Sequence, residues 1–226
     1  GLGLAMSEVA LDHGARVVMA DIDAGGLAAE AARLRDAGHP VEHEALDIGD
    51  IDRVRAVVDA ATERHGRLDV LFANAGVSSG PGYLSEQGRI ENVDVALFDL
   101  SLHINVTGTF ACMQAAARHM KTRGEGSIVV TASVAALVTS GLPGHGYFAG
   151  KAGVAHLVKL TAKELAPFGI RVNGIAPGPF VTNIAGGRMK DPEAAKKFAE
   201  TVPLGRLAQP DEIKGLALFL ASSASS

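Results

Sequence analysis

Five short runs of small aliphatic residues, separated by stretches with helical patterning, constrain this chain more than any other feature. The runs are Arg16–Asp21, Val41–Leu46, Asp69–Ala73, Ser127–Thr131 and Ile170–Ile175. Centres such as Val17-Val18-Met19-Ala20 and Ile128-Val129-Val130 are apolar without alternation, as strands covered on both faces should be. Helices are expected between them at Leu4–His13, Gly26–Ala37, Asp50–His65, Val95–Thr122, His145–Ala166 and Pro210–Ala221. Gly14, Gly38, Gly66 and Gly169 stand where helix-ending glycines belong. This alternation predicts an α/β fold, a Rossmann-like doubly wound parallel sheet in three layers, α/β/α. A helix opening at Gly1-Leu2-Gly3 normally follows a strand in that architecture, and a further strand normally follows the last helix. The first and last strands are therefore expected to be missing from this chain. No linker tract or repeat divides it, so residues 1–226 are expected to form a single domain.

Composition narrows the function classes. A net charge of −4 without a basic cluster argues against nucleic acid as a partner. One cysteine, Cys112, excludes an internal disulfide and fits a reducing compartment such as the cytoplasm. No apolar run of membrane-spanning length and no signal peptide are evident, so no membrane association is expected. The histidines and the cysteine lack metal-ligand spacing, so no metal is expected.

The chemistry-bearing residues fall at the ends of the expected strands. Tyr147 and Lys151, four apart, share one helix face. A nearby cation favours the phenolate and would bring a tyrosine down from its ordinary value near 10, making it a usable general acid or base. Ser133 follows Ser127–Thr131, and Asn74-Ala75-Gly76 follows Asp69–Ala73. Pro177-Gly178 follows Ile170–Ile175, and Asp47-Ile48 follows Val41–Leu46. Ligands of open α/β sheets bind outside the carboxyl ends of the strands, so these positions converge on one crevice.

Gly1 and Gly3 at a helix start would let backbone N–H groups approach a pyrophosphate. Asp21, about twenty residues on, could hold the ribose hydroxyls of an adenosine and would repel a 2′-phosphate, favouring NAD over NADP. Asp21 could also start a turn with Asp23, and Asp47 could simply cap the helix from Asp50. Asn105 sits in the middle of the expected helix Val95–Thr122, where solvent or core hydrogen bonding is the ordinary explanation.

These ordered features resemble the short-chain dehydrogenase/reductase family, in its single-domain soluble branch. They are Gly1-x-Gly3, Asp47, Asn74-Ala75-Gly76, Asn105, Ser133, Tyr147-x-x-x-Lys151 and Pro177-Gly178-x-x-x-Thr182, and they span nearly the whole chain. The resemblance implies an NAD(P)-binding domain that moves a hydride between the cofactor and a secondary alcohol or ketone. It implies a catalytic tetrad of Asn105, Ser133, Tyr147 and Lys151. Ser133 would bond the substrate oxygen and Tyr147 would exchange its proton. Lys151 would hold the nicotinamide ribose and acidify Tyr147, and Asn105 would hold a water in a proton relay. Gly1, Gly3, Ile48, Asn74, Ala75, Gly76, Pro177 and Gly178 would line the cofactor, with Asp47 near the adenine and Thr182 near the carboxamide. Asp21 marks relatives that prefer NAD, while Ala73 departs from the second Asn that many relatives carry. A homotetramer, or a homodimer, through Val95–Thr122 and His145–Ala166 is also implied. The spread of apolar residues around the latter helix (Ala149, Ala152, Ala155, Leu157, Val158, Leu160) agrees with burial beyond its own sheet.

Substrate identity should reside in a loop at 77–92, in the wall 134–146 and in a lid at 180–202 with a helix at Pro192–Glu200. Ala135, Ala136, Leu137, Val138 and Leu142 point to a mainly apolar or uncharged substrate. Arg188, Lys190 and His145 are expected to face solvent. Two other readings of the same residues stay open: a nucleotide-binding regulator or scaffold without turnover, and epimerase, dehydratase or dehalogenase chemistry on the same fold.

Overall fold

The structure, a computed structural model, describes residues 1–226 apart from the side chains of Ala185 and Arg188. Five parallel strands form: β1 (Val17–Asp21), β2 (Val41–Ala45), β3 (Val70–Ala73), β4 (Gly126–Thr131) and β5 (Ile170–Ile175). Each lies within one residue of its expected bounds. Eight α-helices accompany them: α1 (Leu2–Asp12), α2 (Ala24–Asp36), α3 (Ile51–His65), α4 (Val95–Leu102), α5 (Thr109–Arg123), α6 (His145–Leu165), α7 (Pro192–Ala199) and α8 (Lys214–Ala221). Local chemistry sets their ends. Asp23, Asp50 and Asp94 cap α2, α3 and α4 by accepting from Gly26, Arg53 and Ala96 N–H groups. Gly66, at φ 70°, ends α3 in the left-handed region, where a side chain would be strained.

The strands pair in the order β2-β1 and β3-β4-β5. β1 and β3 do not pair; their facing edges line a shared cavity instead. Layering follows from residue alternation along β4. Ile128 and Val130 point into a core with Met113, Ala116 and Met120 of α5 and Val154 and Val158 of α6. Val129, between them, points to the opposite face and packs with Ala5, Met6 and Val9 of α1 and Ala217 of α8. Successive strand residues face opposite ways, so an unbroken apolar run feeds two cores at once. All three side chains are almost fully buried, each contributing roughly 1.5–3 kcal/mol over exposure.

Three expectations about the helical segments are corrected. The stretch Val95–Thr122 is not one α-helix, because a π segment, His103–Gly108, separates α4 from α5. The run also meets the length and hydropathy of a membrane span over Val95–Arg123, contrary to the expectation that none would. It lies against α3, α6 and the sheet, and much of its apolar surface stays uncovered. The last helix, expected from Pro210, opens with a 3-10 turn over Pro210–Ile213 before α8 begins.

Candidate active site

The carboxyl ends of all five strands open on one cavity of about 2470 Å³, which also takes in the space between β1 and β3. Gly1, Gly3, Asp21, Asp47, Ile48, Asn74, Ala75, Gly76, Ser133, Tyr147, Lys151, Pro177, Gly178 and Thr182 all line it. The structure thus brings these residues to one cavity, whereas Asn105 is fully buried and does not line it.

α6 carries Tyr147 and Lys151 on one face, and both are buried, 8% and 4% exposed. The Lys151 ammonium donates to the Thr131 carbonyl at 2.8 Å and lies 5.9 Å from the Tyr147 ring centroid. Burial lowers the Lys151 pKa to about 8. Burial also raises the Tyr147 pKa, and the Ser133 hydroxyl beside it offsets part of that rise. The expectation that Lys151 acidifies Tyr147 is therefore not met in this arrangement: desolvation of the phenol outweighs a cation turned toward Thr131. The Ser133 Oγ accepts from the Ala135 N–H at 3.1 Å, which fixes its rotamer toward the cavity wall.

Asn105 owes its place to the π segment. A widened turn leaves backbone groups unpaired and lets side chains near it take over bonding. The Asn105 amide donates to the Val77 carbonyl at 2.8 Å and to Ser101 Oγ at 3.1 Å, while Oδ1 accepts from the Val77 N–H at 3.0 Å. The chain after β3 is thereby clamped at both backbone groups of one residue. Gly76 passes so close that a Cβ there would sit 2.6 Å from Asn105 Oδ1 and 3.2 Å from Lys151 Nζ. A π segment was missed from sequence, although the run Asn105-Val106-Thr107-Gly108 is built of poor helix formers and carries that signal.

At the opposite end, Gly1 caps α1 without a side-chain bond, so the first N–H groups of that helix face the cavity free of intrahelical partners. A Cβ on Gly3 would approach Asn74 Nδ2 to 2.8 Å, and Asn74 Oδ1 accepts from Thr131 Oγ1 at 3.0 Å. Glycine at position 3 thus lets the helix start and the β3 end meet. Asp21 is exposed and accepts from the Asp23 N–H at 3.0 Å, so the turn reading holds, while its carboxylate still borders the cavity. Asp47 does not cap α3; Asp50 does, and Asp47 Oδ1 instead accepts from the Gly49 N–H at 2.8 Å.

The substrate-side walls are fixed by glycine contacts. Pro81 bridges to Pro143, and Cβ atoms on Gly82 or Gly144 would meet the Gly141 or Ser79 carbonyl oxygen at 2.1 and 2.6 Å. The segment 77–92 contains 3-10 turns at Glu86–Gly88 and Ile90–Asn92. His145 corrects an expectation: its Nδ1 is buried without a hydrogen-bond partner, beside a separate cavity of about 270 Å³ bordered by Gln87, Asn92 and Asp94. The region expected to form a lid holds a 3-10 segment at Ile184–Lys190 and then α7, from which Phe198 reaches the cavity. Lys190 is exposed as expected, and the side chain of Arg188 lies outside the described residues.

Comparison with known proteins agrees with this geometry. A family model described as enoyl-(acyl carrier protein) reductase matches residues 1–226. Cis-4-hydroxycyclohexanecarboxylate dehydrogenase of Sinomonas cyclohexanicum is 39% identical over 100% of this chain and 87% of its own length. The crystal structure of levodione reductase superposes with a TM-score of 0.91 at 33% identity, covering 100% of this chain and 88% of that one. A gluconate 5-dehydrogenase from Burkholderia cenocepacia J2315, in complex with NADP and tartrate, gives 0.88 at 32% identity, covering 100% and 85%. A glycine-opened helix, a crevice at the strand ends and a buried Ser–Tyr–Lys cluster thus occur in a chain matched over its whole length by dehydrogenases and reductases: it belongs to the short-chain dehydrogenase/reductase family.

Proposed function

We propose that this protein is an NAD-preferring dehydrogenase that interconverts a neutral, largely apolar secondary alcohol and its ketone, built as one domain over residues 1–226. The oxidoreductase class acting on CH–OH groups with NAD(P) follows from the family and its relatives. The finer reading rests on one observation: Ser133, Tyr147 and Lys151 are buried together where the β4 end meets the cavity. Two hydroxyls at one point can hold a single substrate oxygen, and donors fixed beforehand stabilise charge developing there. Tyr147 gives or takes the proton of that oxygen, Ser133 positions it, and Lys151 supplies a positive field and a donor. Asn105 acts by clamping Val77, which keeps the β3 end in register with α6.

The residues present fit a nicotinamide dinucleotide. The open start of α1 suits the pyrophosphate, Asp21 the adenosine ribose, Asp47 and Ile48 the adenine, Asn74, Ala75 and Gly76 the stretch between, and Pro177, Gly178 and Thr182 the carboxamide end. When bound, the nicotinamide supplies or accepts the hydride. Among the described residues lining the cavity from Val77 to Pro203, Lys151 is the one charged side chain. Apolar residues such as Val138, Leu142, Phe148, Met189 and Phe198 dominate there, which supports a neutral, apolar substrate. The test is absorbance of reduced nicotinamide with NAD and NADP separately, against cyclic alcohols, polyols and hydroxy acids. Turnover with cyclic alcohols supports the reading. Tightly retained nucleotide with no turnover on any class would instead favour a regulator or an internal redox reaction.

Asp21 should set cofactor choice. Its carboxylate borders the cavity from the end of β1, where it would repel a 2′-phosphate. Asp21→Ala is expected to raise KM for NAD about tenfold and to narrow the preference over NADP, read from kcat/KM with each cofactor. Unchanged selectivity would place the determinant elsewhere.

Self-association, as a homotetramer or homodimer, completes the proposal. Val95 and Leu100 of α4, Phe110 of α5 and Leu160 of α6 are between 44% and 68% exposed. Large apolar side chains grouped on neighbouring helices are an interaction surface in a cytoplasmic protein. Light scattering at micromolar concentration should give a multiple of the 23.2 kDa chain mass; monomer alone would contradict it.

A further inference from the structure

The loop after β2 and the π segment are joined by three contacts, none of which belongs to the cluster around Tyr147. His103 Nε2 lies 2.9 Å from the Gly49 carbonyl oxygen. A carbonyl only accepts, so Nε2 carries the proton of this bond. A Cβ on Gly49 would meet Ile104 Cδ1 at 2.9 Å and His103 Nε2 at 3.3 Å, and a Cβ on Gly108 would meet the Ile48 carbonyl oxygen at 2.6 Å. The loop Asp47-Ile48-Gly49 is thus pressed along the π segment, with His103 as its one side-chain hydrogen bond from that segment.

Asp47 and Ile48 border the cavity; His103 is exposed and does not line it. Asn105, two residues along the same segment, clamps Val77 at the other end of the cavity. One short irregular stretch therefore sets the position of both the Asp47-Ile48 wall and the chain behind Gly76. The widened turn brings this about: in a continuous α-helix the residues from 103 to 108 would be rotated relative to each other.

We propose that His103 is a positioning residue for the adenosine end of the dinucleotide, holding the Asp47-Ile48 wall at its working distance by bonding Gly49. The proposal rests on the dinucleotide reading above. Its effect is confined to ligands that reach this wall. A ligand carrying adenosine, NAD or ADP-ribose, gains from the ordered loop, whereas nicotinamide mononucleotide does not touch it. One hydrogen bond that orders a loop is worth about threefold to tenfold in affinity.

The test compares the full chain with His103→Ala and His103→Gln, by calorimetry with NAD, ADP-ribose and nicotinamide mononucleotide and by steady-state kinetics. A glutamine amide N–H reaches about as far as Nε2 and should restore the bond. His103→Ala should weaken NAD and ADP-ribose threefold to tenfold, leave the mononucleotide unchanged, raise KM for NAD and spare kcat at saturation. His103→Gln should return each value to within twofold of the parent. The proposal is overturned if His103→Ala binds NAD and ADP-ribose as the parent does. It is also overturned if all three ligands weaken together with a lowered Tm, or if glutamine fails to rescue a folded protein. A parent chain that binds no dinucleotide would sink the dinucleotide reading itself, a distinct result.

Discussion

Tyr147→Phe is expected to lower kcat by about 10²–10⁴ while leaving NAD affinity within twofold of the parent. The substitution removes one oxygen from a side chain that is 8% exposed, so packing against Phe148 and the wall is retained. What disappears is the group that exchanges the substrate proton. Its surroundings also fix the pH response. Burial holds the Tyr147 proton on above its ordinary value, with Ser133 offsetting only part of this. Oxidation of an alcohol needs the phenolate, so its rate should climb with pH through the alkaline range. Reduction of a ketone needs both the phenol and the Lys151 cation, so it should fall as pH rises through about 8, before the phenol itself ionises. Rate profiles in both directions from pH 6 to 10, for parent and variant, check this. A variant within tenfold of the parent would remove Tyr147 from the proton transfer.

The fold and the cavity were largely legible in the sequence because both depend on local patterns. Unbroken apolar runs such as Ile128-Val129-Val130 can be satisfied only by a sheet covered on two faces, and that burial is observed. Strand ends then place Asn74, Ser133 and Pro177 on one edge without any knowledge of tertiary contacts. The rest depended on through-space geometry. The π segment accompanies the pairing of Asn105 with Val77, twenty-eight residues away, and no helical periodicity reports that partner. His145 is partly buried, its Nδ1 fully so, where it shares a small cavity with the segment around Ser79–Asp94. The direction of the Tyr147 shift failed for a related reason: helix spacing fixed its neighbour, but the depth of burial decided which effect prevailed.

Lys151→Met is expected to abolish useful turnover and yet to yield a nucleotide-free protein at least as stable as the parent at pH 7. Loss of the cation and its donor from the reacting end should cost about 10²–10³ in kcat, the usual scale for removing one preorganised electrostatic partner. Stability moves the other way. Burial depresses the Lys151 pKa from 10.5 to about 8, so the folded chain resists a charge that the unfolded chain carries freely. At 1.36 kcal/mol per unit, this shift amounts to about 3 kcal/mol against the parent fold. Methionine escapes that cost and fills similar volume, but it leaves the Thr131 carbonyl without its 2.8 Å donor, a loss of about 1–3 kcal/mol. The two nearly offset, and a net gain of about 0–2 kcal/mol remains. The pH dependence isolates the first contribution. Because the folded value is the lower one, the unfolded parent binds the extra proton between about pH 8 and 10.5, and parent stability rises across that window. Below about pH 8 the penalty is fully present. The advantage of the variant should therefore be greatest near pH 7 and should vanish or reverse by pH 10, in paired urea titrations. A pH-independent gap would mean that the Lys151 ammonium is not held against its desolvation, and the site would lose its stored electrostatic cost.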